Sequence, residues 1–176
     1  TDIGAKTLPG PGGERIALIR IASMGDGDTF RAALHAAMQS ALDADALIID
    51  VRGNTGGARD ALLIVLPYLM PDDALAFNVA RPRLRICGAD RPRADLDNLL
   101  ADRYLRPATW AGWLPAERAA VDALLADFKP AWSPPEGWEA AGFGPWYVGV
   151  VSRERHGPAD PAVRARLPYT RPVAVL

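Results

Sequence analysis

The 176-residue chain is poor in the side chains that most often do chemistry, and each shortage excludes something. Cys87 is the single cysteine, so no internal disulfide can form and no thiolate cluster can hold a metal. His35 and His156 are the only histidines, too few for a multi-histidine metal site. Neither a metal nor a cofactor is expected. Charge of one sign is lacking too: Lys and Arg total 20, Asp and Glu 21, and the net charge is −1. Nothing in that balance selects nucleic acid or an anionic membrane. No apolar run reaches the roughly 18–20 residues of a membrane span, and no signal peptide is legible. The first residue is Thr1, not Met, which reads as a processed product or a piece cut from something longer.

Glycine and proline are plentiful, 16 of each, and crowd the second half, which predicts long irregular connections there. The length suffices for one core with a small appended lobe. Residues 1–13, with Pro9-Gly10-Pro11-Gly12-Gly13, read as a linker. Glu14–Ala22 reads as a strand carrying Ile16, Leu18, Ile19 and Ile21. Asp26 or Asp28 can cap the next helix through its carboxylate. Phe30, Leu34, Met38, Ala41 and Leu42 recur on one face, predicting an amphipathic helix over Thr29–Leu42.

The stretch Ala46–Gly57, Ala-Leu-Ile-Ile-Asp-Val-Arg-Gly-Asn-Thr-Gly-Gly, organises the rest. Leu47–Val51 reads as a strand buried on both faces. Arg52–Gly57 is a loop suited to glycine and asparagine, and Ala58–Leu69 a helix that Pro67 kinks or ends. Strand, helix and strand in this order predict a parallel βαβ unit, with the Gly-rich loop at the C-terminal edge of its second strand. Ligands bind at that edge in open α/β sheets. Free N–H groups there can hold a phosphate or an oxyanion.

Further on, Ala74–Val79 and Leu84–Ile86 read as strands. Arg81, Arg83 and Arg85 alternate along one solvent-facing side. Asp95–Tyr104 and Pro115–Phe128 read as helices, the second with Ala119, Val121, Leu124, Leu125 and Phe128 as apolar contacts. All five tryptophans lie between Trp110 and Trp146. They form either the small core of an inserted lobe or a surface over the site. The expected division is a linker at 1–13, core at 14–86, an inserted helical and aromatic lobe at 87–145, and a return to the core sheet at 146–176. That return comprises a strand at Trp146–Ser152, a polar segment at Arg153–Pro168 and a strand at Pro172–Leu176.

Several residues have two readings. The loop lacks the Gly-Lys-Ser/Thr ending of a phosphate-binding P-loop and the spacing of a dinucleotide fingerprint. Gly56-Gly57 is then either a tight turn or part of an oxyanion hole. Asp50 reads as a brace that pairs with Arg52 or accepts backbone N–H groups, not as an acid or base. Ser23, at a strand end, has no nucleophile elbow around it. His35 sits on a helix and His156 in a loop beside arginines. Cys87 reads as a buried thiol. Lys6 in the linker and Lys129 in the lobe are the only lysines, and neither is placed as a general base.

Arg15–Met70 resembles the C-terminal processing, or tail-specific, serine peptidases. The resemblance rests on "IALIRI" at Ile16–Ile21, the Thr29-Phe30 helix start, "ALIIDVRGNTGG" at Ala46–Gly57 and the helix running to "LPYLM". It returns weakly in "YTRPVAVL" at Tyr169–Leu176, similar to the strand before that family's nucleophile. The resemblance implies a crotonase-like (ClpP/crotonase) α/β fold of stacked ββα units. It implies peptide hydrolysis by a serine activated by lysine, or by histidine and a carboxylate, with a polypeptide as partner. An oxyanion-hole N–H falls on Gly56 or Gly57, while Asp50, Arg52 and Asn54 support the loop. It favours an extracytoplasmic, bacterial setting. The serine and lysine would follow Leu176, so the expectation is an incomplete catalytic domain, inactive alone and open to self-association. Two other functions compete: a non-catalytic binding module for a peptide or apolar ligand, and an acyl-coenzyme-A enzyme of the crotonase type.

Overall fold

The structure, a computed structural model, describes residues 2–82, 93–130 and 144–176. The expected strand at Leu84–Ile86 and Arg83, Arg85, Cys87, Trp132 and Trp138 lie outside them. The described residues form two compact units, 1–73 with 153–176, and 74–152.

In the first unit a four-stranded sheet runs in the order β1 (Ile3–Pro9), β2 (Arg15–Ile21), β3 (Ala46–Asp50), β7 (Val173–Val175). β1 is antiparallel to β2, while β2, β3 and β7 are parallel. The expected linker is therefore half strand, and only the Pro-Gly segment after Pro9 turns. β1 escapes sequence detection because it is an edge strand with most residues exposed, so it has no need of apolar alternation.

Between β2 and β3 runs α1 (Gly27–Ala41), and after β3 runs α2 (Asp60–Leu69). Phe30, Leu34, Ala37, Met38 and Ala41 are buried on α1, the predicted stripe at helical period. Asp26 is the N-cap residue, but its side chain makes no capping bond. The core joins these side chains to Ala17, Ile19, Ile21, Leu47 and Ile49 and to Ala61, Ile64, Val65 and Tyr68 of α2. β3 is thus not buried on both faces. Leu47 and Ile49 point into this core, and Ile48 between them is only half-buried.

Pro67 stays inside α2, where it removes one helical hydrogen bond. Short helices α5 (Arg153–His156) and α6 (Pro161–Arg164) occupy the polar return. At and just past the C-terminal end of α1, Arg15 donates to Asp43 O and Arg171 to Leu42 O and Ala44 O. Cations complement the negative end of a helix.

The second unit has its own antiparallel sheet, ordered β4 (Ala74–Ala80), β6 (Tyr147–Ser152), β5 (Leu105–Pro107). β4 and β6 pair with each other, so neither belongs to the first sheet. The expected return to the core sheet at 146 is corrected: the chain rejoins the first unit at 153 and its sheet only at β7. The lobe expected at 87–145 as helical and aromatic also carries a strand, β5, which pairs with β6. The helix expected at Asp95–Tyr104 divides into α3 (Arg93–Asn98) and a 3-10 turn at Ala101–Arg103, ended by Tyr104 at φ 58°. α4 (Pro115–Asp127) packs Val121, Ala120, Leu124 and Leu125 against Ala74, Val148 and Val150. Ala119 is exposed, and the buried position on that turn is Glu117. Its carboxylate accepts from Leu114 N–H at 3.0 Å and Ser152 Oγ at 2.6 Å. Burying a carboxylate is tolerable only with such partners. Trp110 and Trp113 meet edge to face, and Arg81 lies over Trp146 instead of in open solvent.

Candidate functional site

β3 ends at Asp50, and the chain leaves the sheet rim through Arg52–Gly57. The Asp50 carboxylate is buried and accepts three bonds from Arg52: backbone N–H at 3.0 Å, Nε–H at 2.9 Å and Nη2–H at 2.9 Å. The guanidinium fork matches the carboxylate, and such two-point pairs are the strong, directional ones. These bonds, with the backbone donor and the Arg52 and Arg20 charges, hold the Asp50 pKa at about 2, although burial alone would raise it. The same pairing raises the Arg52 pKa. Asp50 is thus an anchor that is ionised at neutral pH and sets where the loop begins.

Asn54 closes the loop from inside. Its Nδ2–H donates to Ile21 O at 2.9 Å, at the end of β2, and its Oδ1 accepts from Gly56 N–H at 2.7 Å. One amide side chain is both donor and acceptor, which aspartate cannot be while ionised. Gly53, Gly56 and Gly57 have φ of +77°, +94° and +135°, a region that L side chains avoid.

Gly57 has a second constraint. It forms a parallel bridge with Met24, in which Met24 N–H donates to Gly56 O at 3.2 Å and Ala58 N–H donates to Met24 O at 2.8 Å. A Cβ on Gly57 would lie 2.1 Å from Met24 O, closer than any real contact. Asn54 occupies the Gly56 N–H, and the bridge uses the groups on either side of Gly57. The N–H of Gly57 itself has no partner among the described residues, and the residue is exposed. All five residues singled out from sequence therefore meet in one loop, and the two glycines differ in what their N–H groups do.

Sequence reasoning missed Met24 and Asp60. Nothing in the turn Ser23–Gly25 marks Met24 as a ladder partner, although a glycine pair does signal close backbone approach. Asp60, at the start of α2, is buried and pairs with Arg31 of α1, tying the two helices together beside the loop. Lys6 is exposed on β1, and Lys129 is exposed after α4. His35 is half-buried, with Nδ1 3.0 Å from Tyr68 Oη, and burial lowers its pKa. His156 ends α5 instead of lying in a loop, and is half-buried. Ser40 Oγ donates to Ala37 O, and Ser152 is engaged by Glu117, so neither is poised for attack.

Parallel β7 brings its far end to the same rim. Val51 N–H donates to Leu176 O at 2.9 Å, and Leu176 N–H to Ile49 O at 3.0 Å.

A model of peptidase family S41 matches residues 15–109, a span that contains the whole loop and both flanking elements. Among solved structures, the chain is similar to a photosystem II D1 C-terminal processing protease. Identity is 22% and the TM-score 0.35, over 46% of this chain and 22% of that one. It is similar to mature CPAF at 19% identity and TM-score 0.34, over 55% of this chain and 19% of that one. A structure of mature CPAF complexed with lactacystin gives 14% identity and TM-score 0.41, over 97% of this chain and 34% of that one. The chain thus spans about a third or less of the length of these structures. No curated protein matches it.

Proposed function

The chain belongs to peptidase family S41, and from that premise we propose that it forms part of a serine endopeptidase site that cleaves polypeptides, with Gly57 N–H as an oxyanion donor. The observation that carries this is the division of labour between the two glycines. Asn54 Oδ1 consumes the Gly56 N–H, and the Gly57 N–H is left unpaired and exposed. A donor held rigidly and without a partner in the resting state needs no reorganisation when negative charge develops on a carbonyl oxygen. Asp50, Arg52, Asn54 and Met24 are positioning residues for that N–H.

The nucleophile is not Ser23, Ser40 or Ser152. On this reading it follows β7, whose end lies at the rim beside Val51. The first unit, with parallel β2, β3 and β7 and helices packed on one face, is read as the front of a crotonase-like stack.

The test uses the longest polypeptide that carries this sequence and a quenched, unstructured peptide substrate. Replacing Gly57 with Ala is expected to lower kcat about 10²–10³-fold, the usual effect of losing one oxyanion donor. The Asn54→Ala variant should lose less, because the donor remains but is held less firmly. A serine-directed fluorophosphonate should leave the 176-residue chain unlabelled. Labelling abolished by Ser23→Ala would overturn the assignment.

A further inference from the structure

An arginine side chain has five N–H donors, and Asp50 takes two of those on Arg52, Nε–H and one on Nη2. That uses the side-on edge of the guanidinium. The end-on edge, where Nη1–H and the second Nη2–H point the same way, has no partner among the described residues. The Arg52 side chain is 70% exposed, while the carboxylate that holds it is buried. An exposed arginine ordinarily samples many rotamers. This one is held in a fixed plane at the sheet rim where the Gly-rich loop departs. Arg20 adds a second cation there. It stands opposite Asp50 in the β2–β3 register, is exposed, and makes no ion pair among the described residues. Its charge also helps to keep Asp50 ionised. Asp2, just ahead of β1, pairs with neither arginine. Two guanidiniums thus share one carboxylate, and this part of the rim has one positive charge in excess.

Resting on the peptidase reading, we propose that Arg52, with Arg20 on the same rim, is a carboxylate-binding position for the polypeptide substrate. The end-on fork of Arg52 donates two parallel N–H bonds to the two carboxylate oxygens, and Arg20 adds attraction at longer range. A carboxylate is the anion that a polypeptide carries, at its C-terminus or on Asp and Glu. Its planar pair of oxygens fits the free fork as the Asp50 carboxylate fits the other one. Asp50 therefore acts twice: it anchors the loop, and it aims the guanidinium. Lysine at position 52 would keep the charge and lose both forks. The two parts of the site then do different work. Gly57 N–H meets charge that develops during reaction and acts on rate, whereas Arg52 meets charge that the substrate already has and acts on binding.

The experiment labels the arginine side chains of the 176-residue chain with ¹⁵N and titrates three peptides of equal length. One is acetyl-hexaalanine with a free C-terminal acid, one is its amide, and one is that amide with a central alanine replaced by glutamate. The Arg52 Nε resonance is assigned as the one lost in Arg52→Lys. Expected is a saturable shift of that resonance, with a carboxylate-bearing peptide bound about fivefold tighter than the neutral amide, the scale of one well-oriented exposed ion pair. A gain for the free acid alone makes the chain terminus the ligand, a gain for the glutamate peptide alone makes it an acidic side chain, and an equal gain makes it either. Arg20→Gln, which leaves the Asp50–Arg52 pair in place, should cut the gain about twofold, and an unchanged gain refutes the part given to Arg20. If all three peptides bind equally, or if Arg52 does not shift with any of them, the carboxylate position is refuted. The cleavage assay above judges the peptidase reading separately. Absence of cleavage together with preference for the carboxylate peptides would remove that reading and leave Arg52 as a peptide-binding position.

Discussion

Asp50 owes its acidity to Arg52, and that has a pH signature. Its folded pKa of about 2 lies below the usual 3.8, so the charged form adds stability at every pH above 3.8. The contribution disappears as pH falls from 3.8 toward 2. In urea unfolding, the stability gap between wild type and Asp50→Asn should be constant above about pH 5 and close below pH 4. A gap that does not change with pH would mean the pair is not formed. His35 works in the other pH range. Burial favours its neutral ring, so its folded pKa lies below 6.5. Protonation then opposes folding, and stability is lost as pH falls below 6.5 through the folded value. His35→Gln should flatten the stability curve just below pH 6.5, read by the same titration. The loop residues were legible from sequence because glycine, asparagine and aspartate each have a distinct backbone chemistry. The choice between Gly56 and Gly57 was not, since it depends on which N–H the Asn54 side chain reaches.

At the scale of elements, α2 is finished by a residue far away in sequence. Pro67 lacks an N–H, and the last carbonyls of the helix need donors. Arg153 supplies one and braces the turn beyond: Nε–H donates to Pro67 O at 3.3 Å, while Nη2–H donates to Met70 O and to Pro71 O just past the helix; Tyr169 N–H donates to Tyr68 O at 2.7 Å. Nη1 pairs with Asp73 at 2.8 Å. The guanidinium is mostly buried, so the loss should be felt. Arg153→Ala is expected to cost about 1.5–3 kcal/mol in chemical unfolding, the range for bonds made by a charged group. Arg153→Lys should recover only part, because an ammonium cannot fork. Proline within an apolar helical run was visible in the sequence. Arg153 looked like one polar residue in a return segment, because a tertiary cap has no local pattern to reveal it.

At the scale of the molecule, no helix among the described residues is long and apolar enough to cross a membrane. The first sheet has an edge that stays apolar. β7 pairs with β3 alone among the described residues, with Val173 and Val175 exposed and no charged side chain from Val173 to Leu176. Such an edge invites pairing with another chain. Val175→Lys is expected to lower the associated fraction seen by analytical ultracentrifugation, without moving the Gly57 amide resonance. An unchanged sedimentation profile would show that the edge does not associate.

The sequence by itself determined the first unit's middle: strand, helix, strand, Gly-rich loop and helix, because hydrophobic period and turn chemistry are local signals. Buried positions at spacings of four and three marked α1, and a short apolar run bounded by turn residues marked β3. Tertiary structure alone decided what depends on pairing. It made the supposed linker into β1, joined β4 to β6 in a separate sheet, and placed Glu117 inside against Ser152. Hydrogen-bond partners far apart in the chain leave no trace in residue order. The same reason explains the site. Sequence located the two glycines, and only the bridge to Met24 and the clamp of Asn54 decided which one keeps its backbone free.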